Sequence, residues 1–183
     1  MHNLHEKGRM NNPFVDVLFT YDSWATRRLL EECHTLTREQ LEQPLGLGHG
    51  NIERTLVHII GSMMFFADRL NRRPPRSRPD HDNISRTPEE LLSLFDIANH
   101  ELREAIVKTI DAHLLTDILN WTDEDVGDID PLDQITYAVA LAQVIDHNIH
   151  HRTQVTDMLG LLGIDKPMDW HPFRWEETIR KPS

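Results

Sequence analysis

The chain carries 12 histidines in 183 residues. Histidine is the commonest metal ligand and the side chain best suited to move protons near neutral pH. Two of the twelve are placed rather than scattered. His147 and His151 lie four apart in a segment whose inward row reads Ala140, Val144, His147, His151, Gln154 or Val155, Met158, Leu162. On a helix this spacing stacks both rings on one face. Burying two imidazoles side by side is costly unless their nitrogens are bonded. A divalent ion satisfies both at once, and a pair bonded to backbone or water is the alternative that spacing leaves open. Gln154 shares the face and is placed to orient a ligand or a bound water. A third ligand has to come from another helix. His58, in Thr55-Leu56-Val57-His58-Ile59, is a candidate, yet it lies off the centre of its strongest apolar stripe. Periodicity alone does not choose it over His100 or His113.

Other chemistries fail on inspection. His147-Asn148-Ile149-His150-His151 has no Glu after the first His, so it is not the zinc-protease motif. A di-iron carboxylate bundle needs two Glu-x-x-His motifs. One occurs, ending at His34. There is no Gly-rich phosphate loop and no Gly-x-Ser-x-Gly elbow. Cys33 has no activating partner in sequence and reads as a small core residue. No general base stands out, so the catalytic residues are unassigned at this level.

The elements that must position these histidines are helices. Pro13, Pro88 and Pro131 each follow a good N-cap residue, Asn12, Thr87 and Asp130. Proline at the first helical position loses only an N–H that has no partner there anyway. Thr87-Pro88-Glu89-Glu90 is also a capping box. A fourth start reads at Asn51, after Gly46-Leu47-Gly48-His49-Gly50. Apolar residues recur at three and four in each segment. The first has Phe14, Val17, Leu18, Tyr21, Trp24 and Ala25. The second has Ile52, Leu56, Ile59, Ile60, Met63, Phe66 and Leu70. The third has Leu91, Phe95, Ala98, Leu102, Ile106 and Ile110. The fourth is expected from Leu132 to about Leu162, stopping near Gly163. The acidic stretch Leu115 to Asp130 is a connector with room for a short extended piece.

This pattern predicts an all-α fold: a four-helix bundle with a long crossover between helices 2 and 3, running from Asn71 to Arg86. Residues 1–12 are expected as a flexible tail, 13–165 as the bundle, and 166–183 as an aromatic tail packing on it. His171 in that tail is expected to pack rather than reach the site. Arg72, Arg73, Arg76 and Arg78 in the crossover read first as a solvated loop, with an anion-binding patch as the alternative. The run Met63-Met64-Phe65-Phe66 covers the circumference of its helix, which predicts a homodimer.

Charge narrows the partners. Lys and Arg total 19 against 30 Asp and Glu, a net charge of −11. That balance argues against nucleic acid or an anionic membrane as the main partner. No apolar run approaches the ~20 residues of a membrane span, and the first residues lack the apolar core of a secretory signal. With a single cysteine no internal disulfide exists, and a reducing, cytoplasmic location is expected.

Three stretches together resemble a known family. They are Tyr21-Asp22-Ser23-Trp24-Ala25-Thr26-Arg27-Arg28-Leu29-Leu30, the Thr55-Leu56-Val57-His58-Ile59 segment behind its Gly-rich stretch, and His147-x-x-x-His151-Arg152-x-Gln154. In this order they resemble the DinB/YfiT-like metalloenzyme superfamily, over roughly residues 13–165. The resemblance implies a metal held by His58, His147 and His151, with Gln154 behind them. It also implies a small-molecule substrate, possible use of a low-molecular-weight thiol, and assembly as a homodimer. Nitrogen ligands suit zinc or nickel first, and iron, cobalt or manganese after them. The expected function is a metal-dependent enzyme that activates a thiol or water, of thiol S-transferase or hydrolase type. The alternative is a non-catalytic metal-binding or stress-induced binding protein.

Overall fold

A computed structural model describes residues 10–74, 76–120, 134–164 and 171–180. Four long helices dominate: α1 (Pro13–Cys33), α3 (Ile52–Leu70), α4 (Pro88–Asp111) and α5 (Tyr137–Leu161). Two shorter helices, α2 (Arg38–Glu42) and α6 (Pro172–Arg180), accompany them. A two-stranded antiparallel ribbon pairs β1 (Ile118–Asn120) with β2 (Gln134–Thr136). Among the described residues the fold is therefore almost wholly helical. No described helix is long and apolar enough to cross a membrane.

Three of the starts read from sequence are capped as expected. Asn12 accepts from the Val15 amide, Asn51 from the Arg54 amide, and Thr87 with Glu90 closes a capping box around Pro88. The fourth start is corrected. Asp130 and Pro131 lie outside the described residues, and Gln134–Thr136 is a strand rather than helix. α5 begins at Tyr137, where the Thr136 side chain accepts from the Val139 amide. The β-branched pair Ile135 and Thr136 suits a pleated partner, and Leu119 opposite Ile135 is buried. The expected extended piece in the connector is β1, and Trp121 lies outside the described residues.

α3 is the central element. It packs against α4, α5, α2 and a single 3₁₀ turn at Pro79–His81, and nearly every residue from Ile52 to Leu70 is buried. α1 packs against α4 and α5. The continuous run on α3 finds cover inside the chain. Met63, Met64 and Phe66 are buried, and the Arg69 and Arg78 guanidinium groups sit over the Phe65 ring. Of that run only Phe65 is partly exposed.

The inward row of α1 is displaced from the one read in sequence. Phe14 and Val17 are exposed, and the buried positions are Phe19, Asp22, Ala25, Thr26, Leu29, Leu30 and Cys33. Two polar side chains occupy that row because they serve a polar network with α5, described below. Met10 is buried and Asn11 donates to Asp111, so packing begins before Pro13. At the other end Trp175 is buried, with its ring edge-on to Tyr21 on α1, while His171 is exposed. Residues 1–9, Trp170 and most of the join to α6 lie outside the described residues.

The crossover arginines face carboxylates. Arg76 is bonded to both Asp68 and Glu101, Arg73 is 3.9 Å from Asp68, and Arg78 is 3.4 Å from Asp80. Arg72 donates to the Tyr137 hydroxyl at 2.9 Å. Arg76 and Arg78 are thus partly buried against the chain's own acids, whereas Arg72 and Arg73 stay exposed.

Candidate metal centre

The histidines meet where α3 and α5 pack. His58 stands in the second turn of α3. His147 and His151 stand one turn apart on α5, flanked along the seam by buried Val144 and Val155. The Nε2 atoms of His58 and His147 are 3.0 Å apart, and the Ser62 hydroxyl lies 3.3 Å from His147 Nε2. Ring centroids are separated by 4.9 Å for His58–His147, 4.7 Å for His58–His151 and 4.4 Å for His147–His151. An ion about 2.1 Å from each nitrogen, with bonds ~90–110° apart, sets imidazole centroids roughly 4.5–5.2 Å apart. The three separations fall close to that range.

A fourth ring stands beside them. His49, an exposed residue of the Gly-rich loop, stacks on His58 with centroids 3.7 Å apart and lies 5.4 Å from His151. His49, His58 and His151 each offer a ring nitrogen, and these lie within 4.8 Å of one another. His49 is exposed and stands at the mouth of the cluster, where with His58 and His151 it forms a group of three nitrogens that could hold an ion. The loop is pinned there: the His49 amide donates to Thr55 Oγ1 at 3.0 Å. Gly48, at φ +52°, leaves no room for a side chain, since a Cβ would lie 2.6 Å from Thr55 Oγ1 and 3.1 Å from Gln154 Oε1. Sequence reasoning missed His49 because this stretch reads only as the break before α3; its signal was a histidine between two glycines.

The proton positions follow from the partners. A carboxylate can only accept, so Asp80 Oδ2, 3.1 Å from His58 Nδ1, takes the Nδ1–H and leaves the Nε2 lone pair free. Gln154 Oε1, 2.8 Å from His151 Nδ1, does the same for His151, while its amide nitrogen donates to His150 Nε2. His147 Nδ1 is buried with no hydrogen-bond partner among the described residues. Burial first, then the neighbouring imidazoles, push the His147 pKa down to about 4. Burial likewise takes His151 down to about 4, with Gln154 opposing and His58 adding to the shift. His147 and His151 are therefore neutral near pH 7, and the Nε2 atoms of His58 and His147 face each other across the α3–α5 seam. A cation fits such a donor set: it would give the facing Nε2 atoms of His58 and His147 a shared partner, and it needs ring nitrogens that carry no proton.

His100 and His113 are exposed, the former near Glu104, and take no part. Cys33 is buried in the core and its thiol is pushed up to about 12, chiefly by burial, so it is no nucleophile. Asp80, delivered by the 3₁₀ turn, was not foreseen from sequence.

A second polar cluster lies on the adjacent face of α5. Asn148 Nδ2 donates to Asp22 Oδ2 at 2.7 Å, and Arg152 donates to Asp22 Oδ1 and to Thr26 Oγ1. All four residues are buried.

A comparison with curated proteins finds no match. The family model described as DinB family matches residues 10–181, nearly the whole chain, and the chain belongs to that family.

Proposed function

We propose that this DinB family protein is a metal-dependent enzyme in which His58, His147 and His151 hold one divalent ion, zinc or nickel before iron, cobalt or manganese. The single observation that supports this most is the convergence of three imidazoles from two helices, with the ring N–H groups of two of them turned to Asp80 and Gln154. Three nitrogen donors leave a divalent ion open positions, as catalytic sites require. Bound there, the ion supplies a lowered pKa for a coordinated thiol or water and polarisation of an electrophilic substrate.

The chain's own residues do the rest. Asp80 and Gln154 orient the rings, Ser62 places a hydroxyl beside His147, and the Gly46–Gly50 loop sets His49 at the mouth. The substrate class is a small electrophile, with a low-molecular-weight thiol or water as the attacking partner. We read α1, α3, α4 and α5 as a four-helix bundle whose crossover is the connection from Asn71 to Arg86. The proposed setting is cytoplasmic. A homodimer remains part of the proposal on different grounds from the α3 run: an apolar groove of about 490 Å³ lies between α1 and α5, lined by Phe14, Leu18, Leu141, Ala142, Ile145 and Ile149.

One observation favours a second reading. His49 is a fourth imidazole close enough to complete a shell, and a closed shell suits a non-catalytic metal-binding or stress-induced binding protein. Turnover separates the two. Tag-free, metal-loaded protein is assayed against thiols paired with electrophiles, and against esters and amides. The enzyme reading expects turnover that His151→Ala abolishes, and that returns to chelated wild type with added metal. Metal-loaded protein inert across the panel would favour the binding protein.

A further inference from the structure

α3 contains one residue that its helical role does not explain. A glycine inside a helix is unfavourable by roughly 0.5–1 kcal/mol relative to alanine. Gly61 nevertheless sits mid-helix, buried, in the segment with the densest packing of the chain. The nearest atoms that a Cβ at Gly61 would meet all belong to Asp80: it would lie 2.0 Å from Asp80 Oδ1, 2.5 Å from Asp80 Cγ and 3.1 Å from Asp80 Cβ. The helix backbone at Gly61 is thus the seat of the Asp80 carboxylate. Gly61 is three residues beyond His58, on the same face, so a carboxylate seated there stands beside the His58 ring.

The rest of the environment holds Asp80 in that seat. Pro79 and Asp80 form the 3₁₀ turn of the crossover, and the turn packs on α3. The Asp80 side chain is 7% exposed. Its Oδ2 accepts from His58 Nδ1, and its Oδ1 is buried without a hydrogen bond, with Arg78 Nε 3.4 Å away. Arg78 is itself held over the Phe65 ring. A carboxylate buried in this way needs a reason, and its one hydrogen bond in the described residues to a side chain goes to His58.

We propose that Asp80 is the positioning residue that fixes the orientation and tautomer of His58, and that Gly61 is the cradle which lets the crossover bring it there. The proposal rests on the reading of His58 as a metal ligand. Its chemistry is general: a ring N–H given to a carboxylate turns the other nitrogen toward the ion and makes it a better donor.

The test uses the full-length protein. Zinc affinity is measured by chelator competition, helix content by circular dichroism, and the His58 tautomer by ¹⁵N NMR of the metal-free protein. Wild-type His58 is expected to carry its proton on Nδ1. Asp80→Ala is expected to lose that preference and to bind zinc about 10–100-fold more weakly. Asp80→Asn, which keeps an acceptor oxygen, is expected to recover part of the affinity. Gly61→Ala is expected to weaken zinc by a similar factor although alanine favours the helix. The double variant is expected to bind no more weakly than Asp80→Ala alone, because both act through one contact. A proton on Nε2 of wild-type His58, or zinc affinity within about twofold of wild type in both single variants, would overturn the proposal; so would additive losses in the double variant. Wild type that binds no zinc, or His151→Ala that binds as tightly as wild type, would instead sink the metal-site reading. The tautomer of the metal-free protein then still decides the role of Asp80.

Discussion

α5 carries two polar pairs one residue out of step: Asn148, Arg152 and His151 are buried, and His147 is partly buried. Asn148 and Arg152 are four apart, and so are His147 and His151. The first pair meets opposite chemistry on α1. Arg152 and Asn148 donate, Asp22 accepts on both oxygens, and Thr26 takes a further bond. Charge and hydrogen bonds are satisfied within the chain. The second pair meets its own kind on α3. His147 Nε2 faces His58 Nε2, and His147 Nδ1 has no hydrogen-bond partner among the described residues. Burial alone does not separate structure from function here. The separation lies in complementarity: a cluster that closes on itself holds helices together, and a cluster of like donors is complete only with something added.

The comparison breaks most visibly by truncation. Removing one partner of a buried, hydrogen-bonded ion pair leaves the other charge uncompensated, at a cost of about 3–5 kcal/mol. Arg152→Ala is therefore expected to lower the stability of the metal-free protein by that order in urea unfolding. His151→Ala is expected to cost the metal-free protein clearly less, since it removes a neutral ring and its one bond to Gln154 and leaves no charge uncompensated. Equal losses in the two variants would show that both clusters are structural.

Acid gives a smaller effect, specific to the histidine side. The folded-state pKa values of His147 and His151 lie near 4, below the ordinary value of 6.5. Between those values the unfolded chain binds protons that the folded chain does not. Stability of the metal-free protein is therefore full above about pH 6.5, falls as the pH drops toward 4, and levels off below. The depression is expected to shrink in a His147→Gln/His151→Gln double variant. Unfolding midpoints from pH 7 to pH 4 check this, and an identical pH profile in the double variant would contradict it.

How much of this is legible in sequence depends on whether the signal is local. The starts at Asn12, Asn51 and Thr87 are set by caps within three residues, and they read correctly. The α5 start does not, because Gln134–Thr136 is held by pairing with a strand sixteen residues upstream. The pair His147 and His151 shows in sequence through one helical period. His49 and Asp80 do not, because a loop and a crossover bring them to the site through tertiary contacts. The one sequence trace of Asp80 is Gly61, a poor helix former in the middle of a segment with helical apolar spacing. The inward row of α1 misleads for the opposite reason: hydrophobicity points to Phe14 and Val17, whereas the buried face includes Asp22 and Thr26, whose partners are on α5.

The most direct test of the central claim is anomalous diffraction from crystals of tag-free protein loaded with zinc or nickel. One metal peak per chain is expected, about 2.0–2.1 Å from a ring nitrogen of each of His58, His147 and His151, and no such peak in His147→Ala. A peak held by His49, His58 and His151 without His147, or no peak between α3 and α5, would contradict it.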